Sequence, residues 1–243
     1  MTPTPFVSTA LTASASTVIV ESDKNYLKSV VIEKMAAMKL EVKKNLVHAL
    51  AFVGLIWLIF LVSLPLKLTE YDLLKYGLVP RSLSGLPGII TMPFLHDGID
   101  HLLGNTVPMA VLLFILAISR QKPWRIVLGL TLSSGILVWL LGWSSPVVGA
   151  SGLIYAITLY LIAAGLMERK PGSVVAAVMV GVLYGGTLFW RLLPTAGSKV
   201  AWDAHLLAAI AGACFAWQTL REKKPATNKS EPDKHTESLS ETT

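Results

Sequence analysis

The chain has 243 residues, 53% of them hydrophobic and only 15% charged, and its mean hydropathy is +0.60. Its 21 basic and 15 acidic residues concentrate at the two ends, since only 16 of them lie between positions 45 and 220. Soluble domains carry about 25% charged residues, so this distribution argues against an ordinary soluble domain, a disordered chain and a secreted disulfide scaffold. It predicts an all-α membrane protein with several spans and polar ends.

The polar N-terminal segment, residues 1–45, is predicted to be cytoplasmic and partly disordered or amphipathic. Met1–Val20 lacks the basic stretch followed by a solid apolar run that marks a signal peptide. Asp23–Lys44 is rich in lysine and in helix-forming residues. Two interpretations stay open for it: a helix on the inner membrane surface, or a solvated charge cluster that sets the topology.

Six apolar segments follow, and a membrane-spanning helix needs about 17–25 such residues. They predict a six-helix membrane domain over residues 46–220, followed by a disordered cytoplasmic tail over 221–243. The loop from Lys67 to Asp100 mixes polar and apolar pieces, and a loop of that length usually has a function. The predicted spans are Leu46–Leu66, His101–Ser119, Ile126–Trp143, Ser151–Met167, Ser173–Trp190 and Ala204–Leu220.

The basic residues predict the orientation of these spans. With the N-terminus inside, 16 of the 21 Lys and Arg residues fall on the inner side, which the positive-inside rule favours. We therefore predict both termini in the cytoplasm. The same asymmetry accounts for the net charge of +6, so no nucleic-acid partner is expected, and the lipid bilayer is the expected environment.

Polar residues that are costly in lipid converge on the outer ends of the second, fourth and sixth spans. The one cysteine, Cys214, is not among them: it lies in an apolar run, is expected to be a packing residue, and leaves no possibility of an intrachain disulfide. The converging set comprises His96, Asp97, Asp100, His101, Asn105, Ser151, Asp203 and His205.

Ser151 and His205 are the candidate nucleophile and general base. Ser151 opens the fourth span between small residues, where it is either a nucleophile or a plain helix cap. His205 opens the sixth span and is the usual type of base for a serine hydroxyl, although a histidine at a helix end is often only interfacial. Asp203 is two residues from His205, a spacing that does not place both on one helix face, so it is not expected to complete a triad. Tyr155, one turn after Ser151, is either a packing residue or a support for the imidazole.

His101 and Asn105 lie on one face at the start of the second span, since they are four residues apart. An Asn amide aimed at the serine would donate to an oxyanion. His96 and the three acidic or imidazole side chains up to His101 are an alternative metal set, but no cysteine and no His-Glu-x-x-His motif supports it. No metal and no cofactor is therefore expected. Small residues also recur at every fourth position of the last span, where they permit a close helix contact, at Ala204, Ala208, Gly212 and Ala216.

Together these residues resemble the rhomboid family of intramembrane serine proteases in its six-span bacterial form. The resemblance covers about residues 46–220 and depends on the order and the spacing of three motifs. They are His96-x4-His101-x3-Asn105, Gly149-Ala-Ser151-Gly152, and Ala204-His205 with Gly212.

The resemblance implies a serine-type endopeptidase that cuts transmembrane segments of other proteins in the bacterial inner membrane. It implies a dyad of Ser151 and His205. It also implies an oxyanion hole formed by Asn105 and His96 and a structural role for His101. Tyr155 would stack on His205. Gly149 and Gly152 would provide the loop and the close packing around the serine.

Two departures from the family pattern stand out. Pro87 and Gly88 occupy the place of a Trp-Arg pair in the first loop, and Ala208 replaces a glycine after the histidine. Two rival functions are a non-catalytic rhomboid-like protein that binds membrane clients and a small transporter with a proton relay.

Overall fold

The structure, a computed structural model, describes residues 6–143, 146–191 and 201–221. Over these ranges the chain is helical, and its one extended pairing is an isolated bridge between Leu78 and Val147. The α-helices in the described ranges are α1 Phe6–Leu66, α2 Gly88–Thr91, α3 Ile99–Ser119, α4 Pro123–Leu141, α5 Ser151–Glu168, α6 Pro171–Arg191 and α7 Trp202–Arg221.

Each of the six predicted spans lies largely or wholly within one of the long helices. For α3 to α7, the observed ends differ from the predicted ones by three residues or fewer. The first helix differs most, because α1 begins at Phe6 and not at Leu46. The side chains described from position 28 to 44 are almost all exposed along this extension. The predicted tail over 221–243 lies outside the described residues except for Arg221.

Four of these helices, within the described residues, are long and apolar enough to cross a membrane. They are Lys28–Leu66 within α1, then α3, α4 and α5. Pro171–Gly186 in α6 is apolar but shorter. The protein is therefore an all-helical integral membrane protein.

Helix α5 lies at the centre of the bundle and packs against α7, α6, α4 and α3. The small residues of α7 make this possible: a Cβ on Gly212 would overlap the carbonyl oxygen of Ala156 on α5. Ala204, Ala208 and Ala216 are also buried, so the close helix contact predicted from the small-residue pattern is confirmed. Cys214 is exposed on the other face of α7, and the packing role expected for it is wrong.

The loop between α1 and α3 contains α2 and three short 3-10 helices, Leu73–Tyr76, Leu83–Gly85 and Met92–Phe94. Hydrogen bonds hold this loop at the end of the bundle where Ser151 lies. Arg81, with a left-handed φ of 56°, donates from Nη1 to the carbonyl of Gly142 at 2.6 Å. Its backbone N–H donates to the carbonyl of Trp139 at 2.9 Å. A cation on the last carbonyls of a helix is favourable, so Arg81 fixes this loop on the C-terminus of α4.

The opposite end of the bundle has its own polar anchor. Arg120 at the end of α3 donates to Glu168 at the end of α5, with 2.8 Å between Nη1 and Oε2. Ser173 on α6 donates to the same oxygen, and the Arg120 guanidinium lies over the Tyr160 ring at 5.4 Å. One carboxylate thus ties together the ends of α3, α5 and α6.

Candidate active site

Ser151 is the first residue of α5 and follows a tight turn at Gly149. Gly149 has a φ of +109°, which a side chain rarely adopts. A Cβ there would also lie 2.5 Å from Nε2 of His101. The Gly149 N–H donates to the carbonyl of Met92 at 2.9 Å. A glycine at this position therefore permits the turn that leads to Ser151.

His205, near the start of α7, faces that hydroxyl. Its Nε2 lies 2.8 Å from Oγ of Ser151, a distance at which the hydroxyl donates to an unprotonated ring nitrogen. Tyr155 stacks on the imidazole with 4.4 Å between ring centroids and 15° between ring planes. Tyr155 is 1% exposed and His205 is 6% exposed. The imidazole is consequently held in one orientation between a buried ring and the serine.

Asp203 binds the segment of the chain that leads to Ser151. Its Oδ2 accepts the backbone N–H of Trp143 at 2.9 Å, and the rings of Trp143 and Trp202 meet edge-on at 5.2 Å. Asp203 is 1% exposed. This buried carboxylate connects the start of α7 to the segment between α4 and α5.

His96 and Asn105 contact each other beside the serine turn. Nδ2 of Asn105 lies 3.1 Å from Nε2 of His96, and the backbone N–H of Ala150 points to the same nitrogen at 3.4 Å. A backbone N–H can only donate, so Nε2 of His96 is the acceptor and its proton resides on Nδ1. Burial, and secondarily the neighbouring His101, lowers the pKa of His96 to about 4. His96 is therefore neutral near pH 7, and its Nε2 has no hydrogen to offer an oxyanion.

His101 is held from the other side. Its Nδ1 lies 2.7 Å from Oδ1 of Asp97, and its ring meets the His96 ring edge-on at 5.1 Å. Its Nε2 lies against Gly149, within the serine turn. The ring atoms nearest to the turn at Gly149 are thus Nε2 and Cε1.

Gly152 has more room than the resemblance implied. A Cβ there would meet the Met92 and Ala208 side chains at 3.6 and 3.9 Å, which is ordinary contact. No close approach requires a glycine at this position.

No group of three or more His, Cys, Asp or Glu side chains in the described part of the chain is arranged to hold a metal ion. Asp97 instead pairs with His101, and His96 contacts Asn105 and the Ala150 N–H in the Ser151 turn. Sequence reasoning missed Trp143, and it placed Asp97 only in the converging polar set and as a possible metal ligand. The spacing of Asp97 and His101, four residues apart, was a signal that could have identified their contact.

The fold and the site define a helical membrane protein in which a serine and a histidine from two helices meet at one end of the bundle. Family comparison makes this specific: the sequence model of the Rhomboid domain matches residues 84–222. The chain belongs to the rhomboid family.

Relatives extend this similarity. An uncharacterized protein of Mycobacterium bovis is 32% identical over 178 residues, which cover 69% of this chain and 72% of that protein. An uncharacterized protein of Mycobacterium leprae is 31% identical over 180 residues, 70% of each chain. Rhomboid-related protein 1 of Caenorhabditis elegans is 29% identical over 136 residues, 52% of this chain and 38% of that protein.

Proposed function

We propose that this protein is an intramembrane serine endopeptidase that cleaves transmembrane segments of other membrane proteins through a dyad of Ser151 and His205. The observation that supports this most strongly is the 2.8 Å distance between His205 Nε2 and Ser151 Oγ. Membership of the rhomboid family supports the same reaction. The Tyr155 ring stacked on His205 supports a catalytic pair over a chance contact, because it fixes the base toward the nucleophile.

In the proposed reaction, His205 takes the proton of Ser151 as Oγ attacks the scissile carbonyl. The tetrahedral intermediate collapses to an acyl-enzyme, and the protonated His205 gives its proton to the leaving amine. Water then attacks the ester with His205 again as base, which frees the serine. The two steps restore the starting enzyme, and no cofactor is needed.

The oxyanion is proposed to bind between Asn105 and the N-terminus of α5. Asn105 donates through its side-chain amide, and the helix N-terminus contributes its backbone N–H groups and the positive end of its dipole. The family resemblance implied His96 as a further donor, but its Nε2 accepts the Ala150 N–H. We therefore propose that His96 positions Asn105 and that His101, whose Nε2 lies against Gly149, supports the turn that carries Ser151.

We also propose six spans with both termini in the cytoplasm. The packing of α6 and α7 on α5 and the excess of basic residues on one side support this arrangement. The active end would then face outward, where water reaches it. The mycobacterial relatives support a bacterial inner membrane as the location.

The test is cleavage of a transmembrane substrate by purified protein in proteoliposomes, with wild type, Ser151→Ala, His205→Ala and a control, Ser133→Ala. Ser133 lies on α4, and its hydroxyl donates to the Leu130 carbonyl at 3.4 Å, away from the dyad. We expect both dyad variants to lose at least about 10³-fold in kcat/KM and the control to match wild type. Cleavage retained in Ser151→Ala would refute the dyad. Wild type that neither cleaves nor labels with a fluorophosphonate probe would favour the client-binding alternative.

A further inference from the structure

We infer that Asp97 is a positioning residue for the reaction: its carboxylate holds His101 so that Nε2 of the ring faces the turn that carries Ser151. This inference rests on the proposed endopeptidase function and adds a residue to it. Nothing in the motif pattern of the sequence assigned Asp97 a role beyond that of a possible metal ligand.

Asp97 contacts His101 through a hydrogen bond. Oδ1 of Asp97 and Nδ1 of His101 are 2.7 Å apart, which is typical of a charge-assisted hydrogen bond. Burial by itself raises the pKa of Asp97, but the hydrogen bond from His101 and the nearby Lys67 outweigh it and lower the pKa. The group is therefore a carboxylate at neutral pH, and it can only accept. His101 must donate from Nδ1, which leaves Nε2 as the ring atom directed to the site.

Asp97 itself is held in position by a neighbouring element. Residue 97 belongs to the short connection between the Met92–Phe94 helix and α3, where helical hydrogen bonds do not fix the backbone. Lys67, just beyond the end of α1, donates from Nζ to the backbone carbonyl of Asp97 at 2.5 Å. The Lys67 ammonium also lies over the Phe60 ring of α1 at 5.8 Å. The carboxylate is thus placed by contacts with two helices, α1 through Lys67 and α3 through His101.

His101 contacts the turn that carries Ser151. Gly149, two residues before Ser151, leaves no room for a Cβ because Nε2 and Cε1 of His101 occupy that space, at 2.5 and 2.6 Å. Rotation of the ring would move these atoms off the turn. A ring held by the Asp97 carboxylate keeps Nε2 against Gly149 and thereby keeps the turn that carries Ser151 in place. An orienting carboxylate behind a site imidazole is a common arrangement in enzymes.

The experiment compares Asp97→Ala, Asp97→Asn and Asp97→Glu with a matched control, Asp100→Ala. Asp100 is also acidic and exposed, and it lies three residues further along. Each variant is purified as the full chain and assayed for kcat and KM on the transmembrane substrate, for the rate of fluorophosphonate labelling and for thermal midpoint. A displacement of about 1 Å in the position of a reacting group costs up to about 10²-fold in rate, and loss of the Asp97 contact is expected to cost part of this.

We expect Asp97→Ala to lower kcat about 10- to 100-fold with KM changed less than about twofold. Asp97→Asn, which keeps an acceptor oxygen without the charge, should lose less, and Asp97→Glu should recover part of the rate. Asp100→Ala should match wild type. In a His101→Ala background the Asp97 substitution should have little further effect, because its partner is already gone.

Three outcomes would overturn the inference while leaving the proposed function intact: Asp97→Ala equal to Asp100→Ala in kcat, a loss confined to KM, or an undiminished loss in the His101→Ala background. If Asp97→Ala lowers the thermal midpoint, destabilisation alone can account for its loss of rate. Asp97→Asn distinguishes the two causes, because it must still lose rate while its thermal midpoint equals that of wild type. If wild type neither cleaves nor labels, the proposed function itself fails, and this result is distinct from the other three.

Discussion

At the scale of single residues, His96 makes the stability of the protein depend on pH. Its pKa falls from the ordinary 6.5 to about 4 in the folded chain, first because of burial. Between these two values the unfolded chain binds a proton at this position that the folded chain does not. Stability therefore rises with pH across that window, is complete above about 6.5, and is lost as the pH falls toward 4.

We predict that the thermal midpoint of wild type in detergent drops between pH 6.5 and 4 and that His96→Gln drops less over the same interval. Glutamine can still accept the Ala150 N–H but has no proton to gain. His48→Gln is the control, since His48 meets Trp124 edge-on at 5.8 Å, away from the Ser151 turn. An equal drop in His96→Gln and wild type would contradict the role of His96.

Which residues meet in the site could be predicted largely from the sequence, but not which atoms do. Polar side chains at the starts of alternate spans must lie at one end of a bundle, and this brings Ser151, His205 and Asn105 together. The acceptor role of His96 depends on the direction of one backbone N–H, that of Ala150. That direction follows from the turn at Gly149 and has no signal in composition or spacing.

At the scale of helices, the contact between α5 and α7 sets the distance between Ser151 and His205. Gly212 has no space for a side chain because Ala156 of α5 fills it. We predict that Gly212→Ala moves the helices apart, destabilises the fold by about 1–3 kcal/mol, as overpacking does, and lowers cleavage at least about tenfold. The measurements are thermal midpoint and kcat/KM.

Gly54→Ala on α1 is the matched control, because nothing lies within 4 Å of the added Cβ. Alanine is the better helix former by about 1 kcal/mol, so this variant should be as stable as wild type or more so. A Gly212→Ala protein with full activity would show that the α5–α7 spacing tolerates a methyl group and is not what fixes the dyad.

Helix ends show where sequence reasoning was limited. Pro123, Pro171 and the Gly149 turn are breakers, and the observed ends lie near them. The start of the first span was predicted at Leu46 from hydropathy, and the stretch Asp23–Lys44 before it is rich in helix-forming residues, with no Gly or Pro between residues 21 and 45. A loss of apolar character ends a membrane span without ending a helix, which is why α1 continues to Phe6.

At the scale of the whole molecule, alternate spans run in the same direction, so the starts of α3, α5 and α7 lie on one side of the membrane. With the N-terminus inside, that side is the outer one, and the anchor of Arg120, Glu168 and Ser173 is at the inner face. This is the orientation proposed above. It predicts that position 75, in the loop after α1, is outside and that position 121, between α3 and α4, is inside.

The measurement is labelling of single-cysteine variants by a membrane-impermeant maleimide in spheroplasts. Cys214 is exposed and would itself react. The single-cysteine variants are therefore made in a Cys214→Ser protein, and Cys214→Ser alone is the unlabelled control. Lys75 and Gln121 are both exposed, so reactivity at these positions reports the side of the membrane and not burial. Lys75→Cys should label in intact spheroplasts and Gln121→Cys only after lysis. The reverse pattern would place the dyad toward the cytoplasm and contradict the orientation, because 16 of the 21 basic residues would then lie outside, against the bias that directs membrane insertion.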